Sequence, residues 1–239
     1  MHKSPYLFLL ILLLSVIELT AQSEADDIFN KVLLERGSGD TIQTLKITGR
    51  MTFRSVTGKF VIYNKKPFMN RMDLEVMDKK IIQTIGENEG WYINEIADQN
   101  TAQKMSPETY TSVKTQNYYL IHPLANYNER GIKLIYKGKT KLDSIDCYLI
   151  TAQMPDSSEA DMYIDSINNV QILQKTVVKQ QGSEDYVLES YFKDYRDIGG
   201  LKIPFFMDSR ANGESESKML IEKVEVNTDI DNDLFKYPN

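Results

Sequence analysis

The sequence has one cysteine, two histidines, no basic excess and no long apolar run except near its start. Each shortage excludes something. A single cysteine, Cys147, allows no internal disulfide. It sits in the alternating segment SIDCYLITA, which predicts a buried core thiol rather than a reactive one. Once the first residues are set aside, His122 is the only histidine left, and one histidine cannot supply the usual transition-metal cluster. The net charge is −6, whereas a nucleic-acid surface normally carries a basic excess. No serine stands in a Gly-x-Ser-x-Gly elbow, and no glycine loop of the phosphate-cradling kind is present. Asp229, Asp231 and Asp233 lack the central glycine and closing glutamate of a calcium loop, so they read as a solvated turn. Together these shortages argue against an enzyme and leave no candidate cofactor or metal site.

Pro5 to Ile17 is almost wholly apolar and follows a short polar start; Leu19-Thr20-Ala21 then supplies small residues. The run is short of the roughly 20 residues that a membrane span needs. It reads as a signal peptide over residues 1–21, cleaved after Ala21, with a single domain over 22–239. The mature chain is then expected to be exported to the periplasm, soluble and monomeric. No stretch rich in proline, glycine or serine divides it.

The remaining sequence alternates with a period of two between turn signals. In Thr41–Val56, Leu45, Ile47, Gly49, Met51 and Phe53 share one face and Thr44, Lys46, Thr48, Arg50, Thr52 and Arg54 the other. Thr57-Gly58 reads as a turn. Lys59 to Ile96 then holds four short strands, broken at Lys65-Lys66-Pro67 and at Gly86–Gly90. Ala97–Met105 is polar and reads as a strand tip and loop. Further strands are expected at Ile132–Tyr136, with a turn from Gly138 to Asp143, and at Ser144–Met154. A hairpin follows at Glu159–Asp165 and Val170–Lys179, then strands at Asp185–Tyr195, Leu201–Arg210 and Ser217–Asn227. Helical spacing of Ala25, Ile28, Phe29, Val32 and Leu33 predicts a helix over Glu24–Arg36, with Ser23 as its cap. Ser106-Pro107-Glu108 predicts the start of a second, reaching about Tyr119. Tyr118–Leu124 is an apolar segment able to plug one mouth of a cavity. The absence of a strand–helix–strand repeat excludes a doubly wound sheet. The expected class is mainly β (α+β), an unclosed antiparallel barrel of about eleven strands with helices covering its concave face.

Three segments resemble the outer-membrane lipoprotein carrier superfamily, which includes LolA-type periplasmic carriers, LolB-type outer-membrane receptors and RseB-type lipid-sensing regulators. Val61 to Met72, a strand–Lys-Lys-Pro–strand unit, is similar to the carrier strand ending in Arg-Pro. Gly86 to Tyr92 (GENEGWY) resembles the family's Asp-Gly-x-x-Trp-x-Tyr turn and strand. Val224 to Pro238 resembles its common tail. Tyr191–Phe205 is similar to the branch found in Bacteroidetes-like bacteria, described as outer-membrane lipoprotein-sorting proteins. The resemblance implies an unclosed barrel with a helical lid and an apolar cavity for acyl chains. It implies an acylated lipoprotein or lipid as ligand, with an inner-membrane release complex and an outer-membrane acceptor as partners. In such carriers an arginine before the proline tethers the lid. Lys66 holds that position here, keeping the charge but not the planar fork of donors. The absence of an N-terminal lipidated cysteine makes the chain more similar to the soluble carrier than to the anchored receptor.

An apolar-ligand site needs a large apolar face that its own side chains do not fill. The ligand-binding candidates are Leu45, Ile47, Met51, Phe53, Phe60, Ile62, Lys66, Met72, Leu74, Ile85, Trp91 and Ile93. A lipid sensor acting through a protein partner and a ligand-free structural envelope protein are the alternatives. Alternation alone does not say which face is concave.

Overall fold

The computed structural model describes residues 24–37, 39–117, 124–179 and 184–238. The expected signal peptide, the cap Ser23, the segment 118–123 with His122 and the turn at 181–183 lie outside the described residues. The thirteen strands are β1 (Thr44–Phe53), β2 (Val56–Lys65), β3 (Met69–Val76), β4 (Lys79–Ile85), β5 (Gly90–Asn94), β6 (Gln99–Lys104), β7 (Lys133–Leu142), β8 (Ile145–Gln153), β9 (Glu159–Asp165), β10 (Gln171–Val178), β11 (Tyr186–Ile198), β12 (Leu201–Ala211) and β13 (Glu214–Val226). They follow the hydrogen-bonding order β6-β5-β4-β3-β2-β1-β13-β12-β11-β10-β9-β8-β7. β6 and β7 end that order without pairing to each other, so the sheet is unclosed. The helices are α1 over 24–36 and α2 over Pro107–Asn117. The mainly β, unclosed antiparallel class read from the sequence is the one observed.

Thirteen strands stand against the expected eleven or so, and β6 lies where a strand tip and loop were expected. Its sequence, QNTAQK, has no apolar period because it is an edge: it pairs only with β5 and turns mostly polar side chains to solvent. The expected turn at Thr57-Gly58 is also displaced. The chain reverses at Arg54-Ser55, where Arg54 takes φ 51°, and β2 has begun by Val56. Gly58 lies inside the strand, where a Cβ would stand 2.5 Å from the Glu75 carbonyl oxygen. Close packing, not a turn, calls for glycine there. Likewise β7 runs through the expected turn to Leu142; Gly138, at φ 114°, marks a register shift, and the reversal comes at Asp143.

The described chain forms two compact units. The first spans residues 24–35 and Asn126–Glu189; the second spans Arg36–Ala125 and Ser190–Asn239. In the first, Leu134, Ile150, Ala152, Ala160, Met162 and Ile164 are buried, as are Ala25, Ile28, Phe29 and Val32 of α1. The Tyr127 hydroxyl donates to Asp26 at 2.6 Å, and its ring meets Phe29 edge-on. Cys147 is buried, as expected, and burial raises the pKa of its thiol.

In the second unit the core joins Ile42, Leu45, Phe60 and Leu74 to Leu201, Ile203, Phe205 and Ile221. Ser106 caps α2 by accepting from the Thr109 amide at 3.2 Å. On the other face of β12, Asp208 is buried and accepts from Ser215 Oγ at 2.8 Å and Arg210 Nε at 2.9 Å. Burial pulls its pKa upward, but those hydrogen bonds and the charges of Arg210 and Lys218 together hold it below the ordinary carboxylate value.

Replacing Gly49 by alanine would drive its Cβ into the Leu220 carbonyl and within 2.8 Å of the Phe60 ring. Urea unfolding should register a loss of about 1–3 kcal/mol; unchanged stability would contradict the packing described. Asp208→Asn should cost stability near neutral pH. Because the folded-state pKa is depressed, that cost is present above the unfolded-state pKa and fades as pH falls through the folded one. Parallel urea titrations from pH 7 to pH 2 check the convergence.

Candidate functional site

The registers assign every side chain of the second unit's central strands to a face, because directly opposed residues point the same way. Ile47 opposes Ile62 on β2 and Val224 on β13, and Ile62 opposes Met72 on β3. One step along, Gly49 opposes Phe60 and Ile221, and Phe60 opposes Leu74. A further step brings Met51 opposite Met219, which opposes Met207 on β12. Each cross-strand row holds apolar side chains of one face. The Gly49 row is buried, with the Phe60 ring lying over Gly49 where any larger residue would exclude it. The flanking rows are only half-buried: Ile47, Ile62, Met72, Met51, Met207 and Met219 all keep accessible surface. Met side chains re-shape at low cost, which suits a lining that must fit varied apolar matter.

Helix α2 lies toward one end of this face. A Cβ on Gly90 would touch Met105, Ile85 and Tyr110, so Ile85 is sealed beneath the helix start. Tyr110 donates its hydroxyl to the carbonyls of Gly86 (3.2 Å) and Glu87 (2.8 Å), and the Lys114 ammonium stands 3.8 Å from the Phe68 ring centroid. Lys66 lies beside the face, at the end of β2. Its Nζ donates to the carbonyls of Gly39 (2.8 Å) and Asp40 (3.3 Å), in the loop that follows α1.

The opposite face is covered differently. Trp91 opposes Thr84, which opposes Arg71, and Ile93 opposes Ile82. The register thus places both Trp91 and Ile93 on the side away from Leu45, Ile47 and Ile62. The chain's last turn covers Trp91. Its indole Nε1 donates to the Phe235 carbonyl at 3.4 Å, Tyr237 meets it edge-on, and Arg71 sits over the ring while donating to the Leu234 carbonyl at 2.9 Å. Asp231 caps that turn by accepting from the Asp233 amide, and Asp233 pairs with Lys236. Among the described residues no group of three or more His, Cys, Asp or Glu could hold a metal ion.

The twelve residues singled out from sequence therefore separate. Leu45, Phe60 and Leu74 are buried in the core, with Ile47, Met51 and Ile62 packed against it. Met72 lies in register with Ile62, and Ile85 is under α2. Phe53, at the strand end, is exposed. Trp91 and Ile93 belong to the other face: Gly86–Gly90 reverses the chain, and a turn's register sets which parity faces inward. The sequence reading stopped short of Ile42, Leu201, Ile203, Phe205, Met207, Met219 and Ile221, which complete the face. The alternation Leu201-Ile203-Phe205-Met207 was the available signal.

No protein-family model matches the chain, and no curated protein matches it. Solved structures do. A DUF1329 family protein from Desulfovibrio piger is 12% identical, with 91% of this chain and 98% of that one covered and a TM-score of 0.62. A domain from Vibrio parahaemolyticus, described as an outer membrane lipoprotein-sorting protein, is 8% identical, with 90% and 97% covered and a TM-score of 0.59. A LolA superfamily protein from Nitrosomonas europaea is 11% identical, with 89% and 97% covered and a TM-score of 0.54. At such identities the likeness is one of fold.

If Lys66 holds the loop after α1, Lys66→Met should loosen it. Hydrogen exchange of the Ile42 amide, bonded to the Gly39 carbonyl at 2.9 Å, should speed up about 10-fold, for a charge-assisted bond of about 1.5 kcal/mol. Unchanged exchange would show that the lysine contributes nothing there.

Proposed function

We propose that this chain is a non-enzymatic carrier that takes acyl chains of lipoproteins or lipids against the apolar face of its second unit. The observation that carries the reading is the pair of half-buried rows, Ile47–Ile62–Met72 and Met51–Met219–Met207, lying on either side of a sealed core row. Among the described residues these rows leave apolar surface within reach of a ligand. Each methylene moved from water onto this face contributes about 0.8 kcal/mol, so binding needs no polar anchor to be favourable. The likeness in fold to structures described as LolA superfamily and lipoprotein-sorting proteins supports the same reading.

The finer parts of the proposal follow from sequence. The apolar run at Pro5–Ile17 is read as a leader cleaved after Ala21, which puts the mature chain in the periplasm as a monomer. Its cargo would come from an inner-membrane release complex and pass to an outer-membrane acceptor, without a cofactor. Tyr191–Phe205 is the ground for placing it with the Bacteroidetes-type sorting proteins. Lys66, through its bonds to Gly39 and Asp40, would tether the helical cover in the free state.

Native mass spectrometry of the protein purified without detergent from a bacterial envelope, followed by organic extraction, tests this. An acylated ligand at near one-to-one, handed on to acceptor vesicles, is the expected result. A bound lipid with a stable protein complex and no transfer would favour a sensor. An empty protein that ignores a fluorescent acyl probe would overturn the carrier reading.

A further inference from the structure

Arg36 is the last residue of α1 and the first of the second unit. Its Nε is buried and, among the described residues, has no hydrogen-bond partner. Among the described residues no carboxylate forms an ion pair with it. Arg36 as a whole is half-buried, and an arginine nitrogen taken out of water is usually paired, because an unsatisfied buried donor is costly. Other arginines of the chain have carboxylate partners even where they are largely exposed: Arg50 pairs with Glu222, Arg54 with Glu216, Arg71 with Asp73, Arg196 with Asp194 and Arg210 with Asp208. Acidic residues outnumber basic ones in this chain, 34 to 28. A missing carboxylate at Arg36 is therefore not a matter of supply.

The backbone just after Arg36 is packed against the second unit's core. Gly37, at φ 89°, is pressed against the Gly199-Gly200 turn, so closely that a Cβ would collide with the Gly200 carbonyl and lie 3.5 Å from the Leu201 Cα. Leu201 and Ile42 both belong to the buried apolar cluster of the second unit. Arg36 thus directly precedes the point where the chain enters that cluster. Tyr195, on β11, is the ionisable group that feels its charge; burial keeps the phenol protonated, with its pKa pushed up to about 12, so it offers a proton rather than a negative charge. Burial also lowers the pKa of Arg36.

We infer that Arg36 receives the anionic head of an amphiphile, a carboxylate or a phosphate, whose acyl chain runs from there toward the half-buried Ile47–Ile62–Met72 row of the apolar face. The inference rests on the carrier reading and narrows its ligand from any apolar molecule to a singly tailed anion or an acylated group with an acidic head. A planar guanidinium matches a two-oxygen anion through paired donors, which an ammonium could not do.

The test uses three ligands of one chain length, palmitate, hexadecyl phosphate and hexadecanol, titrated calorimetrically into the envelope-purified, delipidated protein and its Arg36→Gln and Arg36→Lys variants. The wild type should bind an anionic ligand at least 10-fold more tightly than hexadecanol. Which of the two anions gains more identifies the head as carboxylate or phosphate. Arg36→Gln should erase that preference while leaving hexadecanol binding unchanged, and Arg36→Lys should keep part of it. The free Arg36→Gln protein should melt no lower than wild type, since it loses an uncompensated charge and no partner. Equal binding of hexadecanol and both anions by the wild type would overturn the inference and leave the carrier reading standing, as would a preference that survives Arg36→Gln. A fall in Tm for free Arg36→Gln would also overturn it, by making the arginine structural. Failure of all three ligands to bind would remove the carrier reading and this inference with it.

Discussion

The second unit depends on strand register. Its apolar face exists only because β12, β13, β1, β2, β3 and β4 keep their alternation in phase across successive pairings. A slip of one residue in any pair would send that strand's apolar set to the solvent side. Two devices hold the phase. The rows interlock at Gly49, where the Phe60 ring fills the place of a side chain and the Leu220 carbonyl closes in from the neighbouring strand. A register shift between Thr48 and Gly49 then lets β13 keep Val224 and Ile221 on the same face, although they are an odd number of residues apart.

The two faces of this unit do different work. On one, apolar rows alternate between sealed and half-buried. On the other, polar side chains and the last turn of the chain close the surface: Lys65 donates to the Ile230 carbonyl at 2.7 Å, Arg71 to Leu234, and Trp91 lies beneath Phe235 and Tyr237. The exposed pairs there, such as Arg50 with Glu222, contribute at most about 1 kcal/mol each. The tail contributes more, because it buries Phe235 against the strands. One side is thereby fixed by the chain itself, while the other retains apolar surface that the described residues do not cover.

Much of this was legible from the sequence, and its limits have physical reasons. Period-two alternation marks strands well, so the class, α1 and most strand positions could be read directly. β6 could not, because an edge strand is held by backbone hydrogen bonds and needs no apolar period. Gly58 misled because glycine serves close packing as readily as turns. Trp91 and Ile93 were grouped with Ile47 and Ile62 because alternation within a strand does not carry through a turn of unknown register. Arg36 gave no local signal at all; an unpaired charge is a property of what surrounds it in space. The methionines of β12 and β13 came into the lining only through pairing with β1, from a separation of over 150 residues in sequence.

The central claim is that one face of the second unit, and not the other, takes acyl chains. A palmitate analogue carrying a diazirine near its methyl end, irradiated with the protein and mapped by peptide mass spectrometry, tests this most directly. The account predicts adducts at Ile47, Ile62, Met72, Met51, Met207 or Met219. Labelling concentrated on the Trp91, Ile93 and Phe235 side, or spread evenly over both faces, would contradict it.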